Sequence, residues 1–158
     1  MTCNDVQGGI IGLFVFTGTP GMTAILFPKP DIPVRPLRIL YAEDLLEMRQ
    51  LAHMMLTPLG HSLECCDNGR LAWDRVRVAP DAFDLIITDH LMPVMTGLEF
   101  VTRLRTIPFR GRIIVLSSDI DPRTASRYRT LNVDQILNKP IRPQMLLQII
   151  AELFAAES

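Results

Sequence analysis

Residues 83–97 read FDLIITDHLMPVMTG. The run FDLIIT (83–88) has the apolar density of a buried strand, and it ends at Asp89. Met92-Pro93 and Gly97 then punctuate a loop. Helical spacing returns over residues 98–104. A strand, an acid, a loop and a helix thus follow one another within about two dozen residues, as in one half of a βα repeat.

The same unit recurs on both sides. Upstream, LRILYA (37–42) is a short apolar run that ends at Glu43-Asp44. A helix follows, with Met48, Leu51, Ala52, Met55 and Leu56 on one face. SLECC (62–66) is strand-like and ends at Asp67-Asn68-Gly69, and residues 70–78 form a helix that stops before Pro80. Downstream, RIIVL (112–116) ends at Ser117-Ser118, and a helix fits residues 122–131. QIL (135–137) ends at Asn138-Lys139-Pro140, and residues 141–154 form a last amphipathic helix. Apolar strands alternating five times with helices imply a parallel sheet covered on both faces.

Composition sets the outer limits. The chain has 158 residues, 48% hydrophobic and 21% charged, enough for one packed domain and unlike a disordered tail. Sixteen basic against seventeen acidic residues leave a net charge of −1, which argues against a dedicated nucleic-acid binder. Three cysteines, two of them the adjacent Cys65 and Cys66, make no disulfide framework and have no zinc-finger spacing; they fit a reducing, cytoplasmic compartment. Only two of the sixteen basic residues are lysines, Lys29 and Lys139, so a lysine in the main domain stands out.

Residues 1–36 differ from the rest. Residues 8–27 are apolar and uncharged, and PKPDIPVRP (28–36) resembles an extended linker. The apolar stretch approaches the roughly 20 residues of a membrane span. Gly18-Thr19-Pro20-Gly21 interrupts it, and no basic residue precedes it, so neither insertion nor a signal peptide is expected. A hairpin of residues 10–16 and 22–27 around the Gly/Pro turn is an alternative, as is a translation start at Met22 or later.

In an open α/β sheet, ligands bind beyond the carboxyl ends of the strands. Three carboxylates (Glu43, Asp44, Asp89), the Ser117 hydroxyl and the Lys139 ammonium fall there. The second strand offers nothing comparable, which suits a sheet edge. Each residue alone has an ordinary explanation, with Asp44 and Ser117 as helix N-caps. Jointly, clustered carboxylates repel and need a cation or raised pKa values, and Lys139 neutralises only one. Mg²⁺ suits a site with few carboxylates and several waters. A carboxylate beside Mg²⁺ and lysine can act as a nucleophile toward phosphorus.

Residues 37–156 resemble a response-regulator receiver domain of two-component signalling, of the chemotaxis-regulator type. The resemblance rests on Asp89-His90-Leu91-Met92-Pro93-Val94-Met95-Thr96-Gly97, together with Glu43-Asp44, Ser117 and Lys139-Pro140. It implies a flavodoxin-like doubly wound (βα)5 fold with strand order 2-1-3-4-5. It implies Asp89 as phosphoacceptor, with Glu43, Asp44, Asp89 and the backbone carbonyl of Leu91 around Mg²⁺ or Mn²⁺. Ser117 and Lys139 would hold the phosphoryl group, and the bond before Pro140 would be cis. The implied partners are a sensor histidine kinase or histidine phosphotransfer protein and a further protein downstream. The chain would assist its own phosphorylation without being an enzyme.

The sequence departs from the family at several places. The switch position that is usually aromatic is Ile136, so a non-switching interaction module is the rival reading. Leu91 is apolar where the family is often polar, which hinders an attacking water, whereas an acidic Asp119 that orients this water acts the other way; a slow self-hydrolysis is the expectation. His90 should face outward at the rim, because neighbours on an extended segment point opposite ways. His53 and His61 read as surface or helix-end residues, and Cys65 and Cys66 as core filling. Arg123, Arg127 and Arg129 lie along the fourth helix, as a solvated face or as a selector of an acidic partner. The chain ends soon after the fifth helix, so a single-domain receiver is expected.

Overall fold

The computed structural model describes residues 10–16, 22–28 and 35–155. Two compact units emerge: Pro36–Ile141, and residues 1–35 together with 142–158. In the second of these, β1 (Ile10–Phe16) pairs antiparallel with β2 (Met22–Pro28), Ile10 opposite Pro28 and Phe16 opposite Met22. The hairpin alternative is therefore the arrangement found. The Gly/Pro turn and all but the ends of the 28–36 linker lie outside the described residues. The same unit holds α5 (Pro143–Ala155), which buries Leu146, Leu147, Ile150, Ala151 and Phe154. Among the described residues, no helix is long and apolar enough to cross a membrane.

The unit Pro36–Ile141 contains one five-stranded parallel sheet. Its strands are β3 (Arg38–Ala42), β4 (Ser62–Cys66), β5 (Leu85–Asp89), β6 (Arg112–Ser117) and β7 (Gln135–Asn138). They lie in the order β4-β3-β5-β6-β7. Counted from Arg38, that is 2-1-3-4-5, the flavodoxin-like order, with five helices α1–α5. β4 is at an edge, as its lack of a functional group implied. Central β5 is buried at every position. Leu40, Ala42, Ile86, Ile113 and Val115 form one core with buried residues of the helices that follow β4, β5 and β6. The alternate residues Ile39, Tyr41, Ile87, Ile114 and Leu116 are buried too, so neither face of the sheet is wet.

Side-chain caps start three of the helices. Asn68 caps α2 (Gly69–Val78) by accepting from the Leu71 N–H. Thr96 and Glu99 form a reciprocal capping box at α3 (Gly97–Leu104). Asp121 accepts from the Arg123 and Thr124 N–H groups, and Pro122 opens α4 (Pro122–Thr130). The capping alternatives for Asp44 and Ser117 are not the arrangement found. The N-cap of α1 (Leu46–Leu56) is Leu45, with no side-chain bond, so Asp44 does not cap it. Ser117 does not cap α4, because Asp121 does. Both side chains are left for the sheet's rim.

Candidate functional site

The carboxyl ends of β3 and β5 are neighbours, so Glu43-Asp44 and Asp89 meet. One ligand atom from each of Glu43, Asp44 and Asp89 lies within 4.8 Å of the others. Glu43 and Asp89 are buried while Asp44 is exposed, which gives the cluster a dry base and an open mouth. Lys139, just past β7, reaches across. Its Nζ lies 2.7 Å from Glu43 Oε2 and 3.2 Å from Asp89 Oδ1. Burial pulls the Lys139 ammonium pKa down, but the Glu43 hydrogen bond and the charges of Glu43 and Asp89 outweigh it and raise it overall. Lys139 is therefore a fixed positive charge. Three carboxylates against one ammonium leave an all-oxygen donor set with surplus negative charge, which fits a small hard divalent cation.

Several further groups hold the acids in place. The Tyr41 hydroxyl donates to Glu43 Oε2 over 3.1 Å, and the Leu45 N–H to Oε1 over 3.3 Å. Burial first, then the Glu43 charge, pushes the Tyr41 pKa far up, so this phenol remains a donor. The Arg49 guanidinium donates to the backbone carbonyls of Glu43 (2.6 Å) and Asp44 (2.9 Å), which clamps the loop through its backbone. The His90 N–H donates to Asp89 Oδ1 over 2.8 Å. Neither Tyr41 nor Arg49 was singled out from sequence. Tyr41 sits in an apolar run and Arg49 on a polar helix face, where only the folded loop shows their use.

The β5–α3 loop turns sharply. Met95 N–H donates to Pro93 O over 2.7 Å, and Val94 between them has φ of 68°. This is a γ-turn of the strained kind. A side chain at Gly97 would collide with the Asp89 carbonyl, so the loop needs glycine there. Leu91 is exposed on this loop. Ser117 is buried at the end of β6, donating to the Asp119 carbonyl and accepting from the Asp119 N–H, so its hydroxyl is not on the acids. The Lys139-Pro140 bond is cis. Ile136 is half-buried and packs against the core.

Two histidines differ from expectation. His90 does not face outward: its Nδ1 lies 2.8 Å from the Tyr128 hydroxyl on α4. The alternation rule fails because the strand ends at Asp89 and the chain turns. His61 is buried, and its Nδ1 accepts from the Leu37 N–H over 3.1 Å. Burial lowers its pKa. Cys66 is core as expected, and burial raises its thiol to about 11; Cys65 is half-buried.

The comparisons with known proteins agree with this geometry. Residues 39–151 match the response regulator receiver domain. The chain is 32% identical over 118 residues to the two-component response regulator ORR41 of Oryza sativa subsp. japonica, spanning 73% of this chain and 93% of that protein. It is 29% identical over 124 residues to the sensory/regulatory protein RpfC of Xanthomonas campestris pv. campestris, spanning 76% of this chain but 17% of that protein. The fold superposes on the Vibrio cholerae chemotaxis protein CheY4 with a TM-score of 0.68 at 29% identity, covering 75% of this chain and 98% of that one. With the acidic trio, Lys139 and the five-stranded order in place, the chain belongs to the response regulator receiver domain family of two-component systems.

Proposed function

We propose that Asp89 accepts a phosphoryl group from a phosphohistidine on a sensor histidine kinase or a histidine phosphotransfer protein. The observation that carries this reading is Lys139 Nζ placed 3.2 Å from Asp89 Oδ1 within the Glu43–Asp44–Asp89 cluster. An Asp89 carboxylate oxygen attacks phosphorus. The bond from phosphorus to the donor imidazole nitrogen breaks, and its electron pair stays on that nitrogen. Lys139 offsets charge on a phosphoryl oxygen. Ser117 rotates its hydroxyl from the Asp119 carbonyl to donate to another. Asp44, Asp89 and the Leu91 carbonyl, with Glu43 assisting, would hold Mg²⁺ or Mn²⁺, and the ion would supply positive charge to offset that of the transferring group.

The receiver is residues 37–156, preceded by residues 1–36 as an apolar extension and Pro-rich linker. The phosphorylated chain signals in the cytoplasm by binding a protein partner or by passing the group onward, as a response regulator without turnover of a substrate of its own. The apolar Leu91 side chain disfavours an attacking water and lengthens the phosphoryl lifetime. The test is intact mass after incubation with Mg²⁺ and acetyl phosphate, for wild type and Asp89→Asn. The expected result is one phosphoryl adduct on wild type that requires Mg²⁺ and is lost in the variant. No adduct with Mg²⁺ bound would overturn this reading in favour of a non-switching module, for which Ile136 is the motivating residue.

A further inference from the structure

His90 joins four elements at the residue after Asp89. Its N–H is shared between Asp89 Oδ1 and the Leu116 carbonyl of β6, at 2.8 Å each. Its carbonyl accepts from the Gly97 N–H at the start of α3 over 2.9 Å. Its ring is hydrogen-bonded through Nδ1 to the Tyr128 hydroxyl, and the two rings stand edge to face, centroids 5.6 Å apart at 76°.

Tyr128 matters to α4 as a whole. It is the one buried residue of that helix and is fully enclosed, within the core that includes Phe100, Val101 and Leu104. The remaining surface of α4 carries the exposed Arg123, Arg127 and Arg129. A buried hydroxyl left without a partner is costly, so the seat of Tyr128 and the position of His90 are tied. Ile136, at the position that is usually aromatic in the family, has no polar atom to make such a tie.

We propose that the His90–Tyr128 hydrogen bond couples phosphorylation of Asp89 to the seating of α4, making the arginine-bearing face of α4 the surface that changes. This rests on Asp89 being the phosphoacceptor. The charged Asp89 carboxylate is a strong acceptor for the His90 N–H. Esterified to phosphorus, the carboxyl is a weaker acceptor, and the N–H keeps only its Leu116 partner. The backbone of His90 then relaxes toward β6. Its imidazole takes the Tyr128 hydroxyl along or gives it up, and α4, anchored by that one side chain, moves in either case.

The test follows backbone amides by two-dimensional NMR as Mg²⁺ and beryllium fluoride are added to wild type, Tyr128→Phe and His90→Ala. Acetyl phosphate labelling is read by mass in parallel. Wild type should show large shifts at residues 122–130. Tyr128→Phe keeps the ring and loses only the hydroxyl; it should still take the phosphoryl group while most of the α4 shift is lost. His90→Ala cuts the same bond from the other end, and it decides the matter if Tyr128→Phe does not fold. An α4 response equal to wild type in a labelled variant would overturn the coupling and leave the phosphoacceptor intact. Absence of an adduct on wild type would overturn both.

Discussion

Glu43 is a fully buried carboxylate, and such a group is tolerated only when its oxygens are occupied. Tyr41 and Lys139 share Oε2, and the Leu45 N–H takes Oε1. Tyr41→Phe removes one buried bond to a charged acceptor and should cost about 1–2 kcal/mol, read by urea denaturation. Val94 is the opposite case: a β-branched residue at φ of 68°, exposed, in a γ-turn. Val94→Gly relieves that strain and should stabilise the protein by about 1 kcal/mol. A destabilised Val94→Gly would show that the turn is not strained. His61 gives a pH dependence. Its folded pKa is lowered by burial, so the unfolded chain binds the proton more readily. The stability it supports is complete above the unfolded value of about 6.5 and falls as pH drops below it toward the folded value. His61→Asn, with an oxygen in place of Nδ1, should flatten that part of the stability–pH curve.

At the scale of elements, the α2 cap and the α3 capping box could have been found from Asn68, and from Thr96 and Glu99, by spacing alone, since N-caps act over three residues. Asn68→Ala should destabilise by about 1 kcal/mol, seen as a lower denaturation midpoint with an unchanged slope. The capping alternatives for Asp44 and Ser117 are not taken up. Asp44 lies one residue before the N-cap of α1 and Ser117 four before that of α4, and each stands at the end of the strand it follows, at the rim. The real cap of α4, Asp121, sits beside Pro122, the stronger local signal. Helix α1 starts without a side-chain cap, and Arg49 instead bonds the two carbonyls ahead of it.

For the whole molecule, the decisive contact is Lys139 with Glu43, 96 residues apart and joining the first strand of the sheet to the last. Strand order makes it: β3 and β5 are adjacent at the centre, and the segment after β7 returns to their carboxyl ends. Lys139→Met would leave Glu43 buried without its cation. It should destabilise the metal-free protein by about 3 kcal/mol, and excess Mg²⁺ should recover part of that loss. A variant as stable as wild type without metal would mean that Glu43 does not need its partner.

The sequence alone determined the five βα units, the parallel sheet, the three acids at strand ends and the lysine after the last strand. These are local signals: apolar runs, turn residues and caps are read within a few positions, and a parallel sheet aligns its strand ends. Only the tertiary structure decided that His90 turns inward to Tyr128, that Tyr41 holds Glu43 and that His61 is a buried acceptor. Those bonds depend on side-chain direction after a strand has ended and on partners brought together by strand order, 38 residues apart for His90 and Tyr128. Periodicity reports which face a residue shares with its neighbours, but it carries no information about which distant atom meets it there.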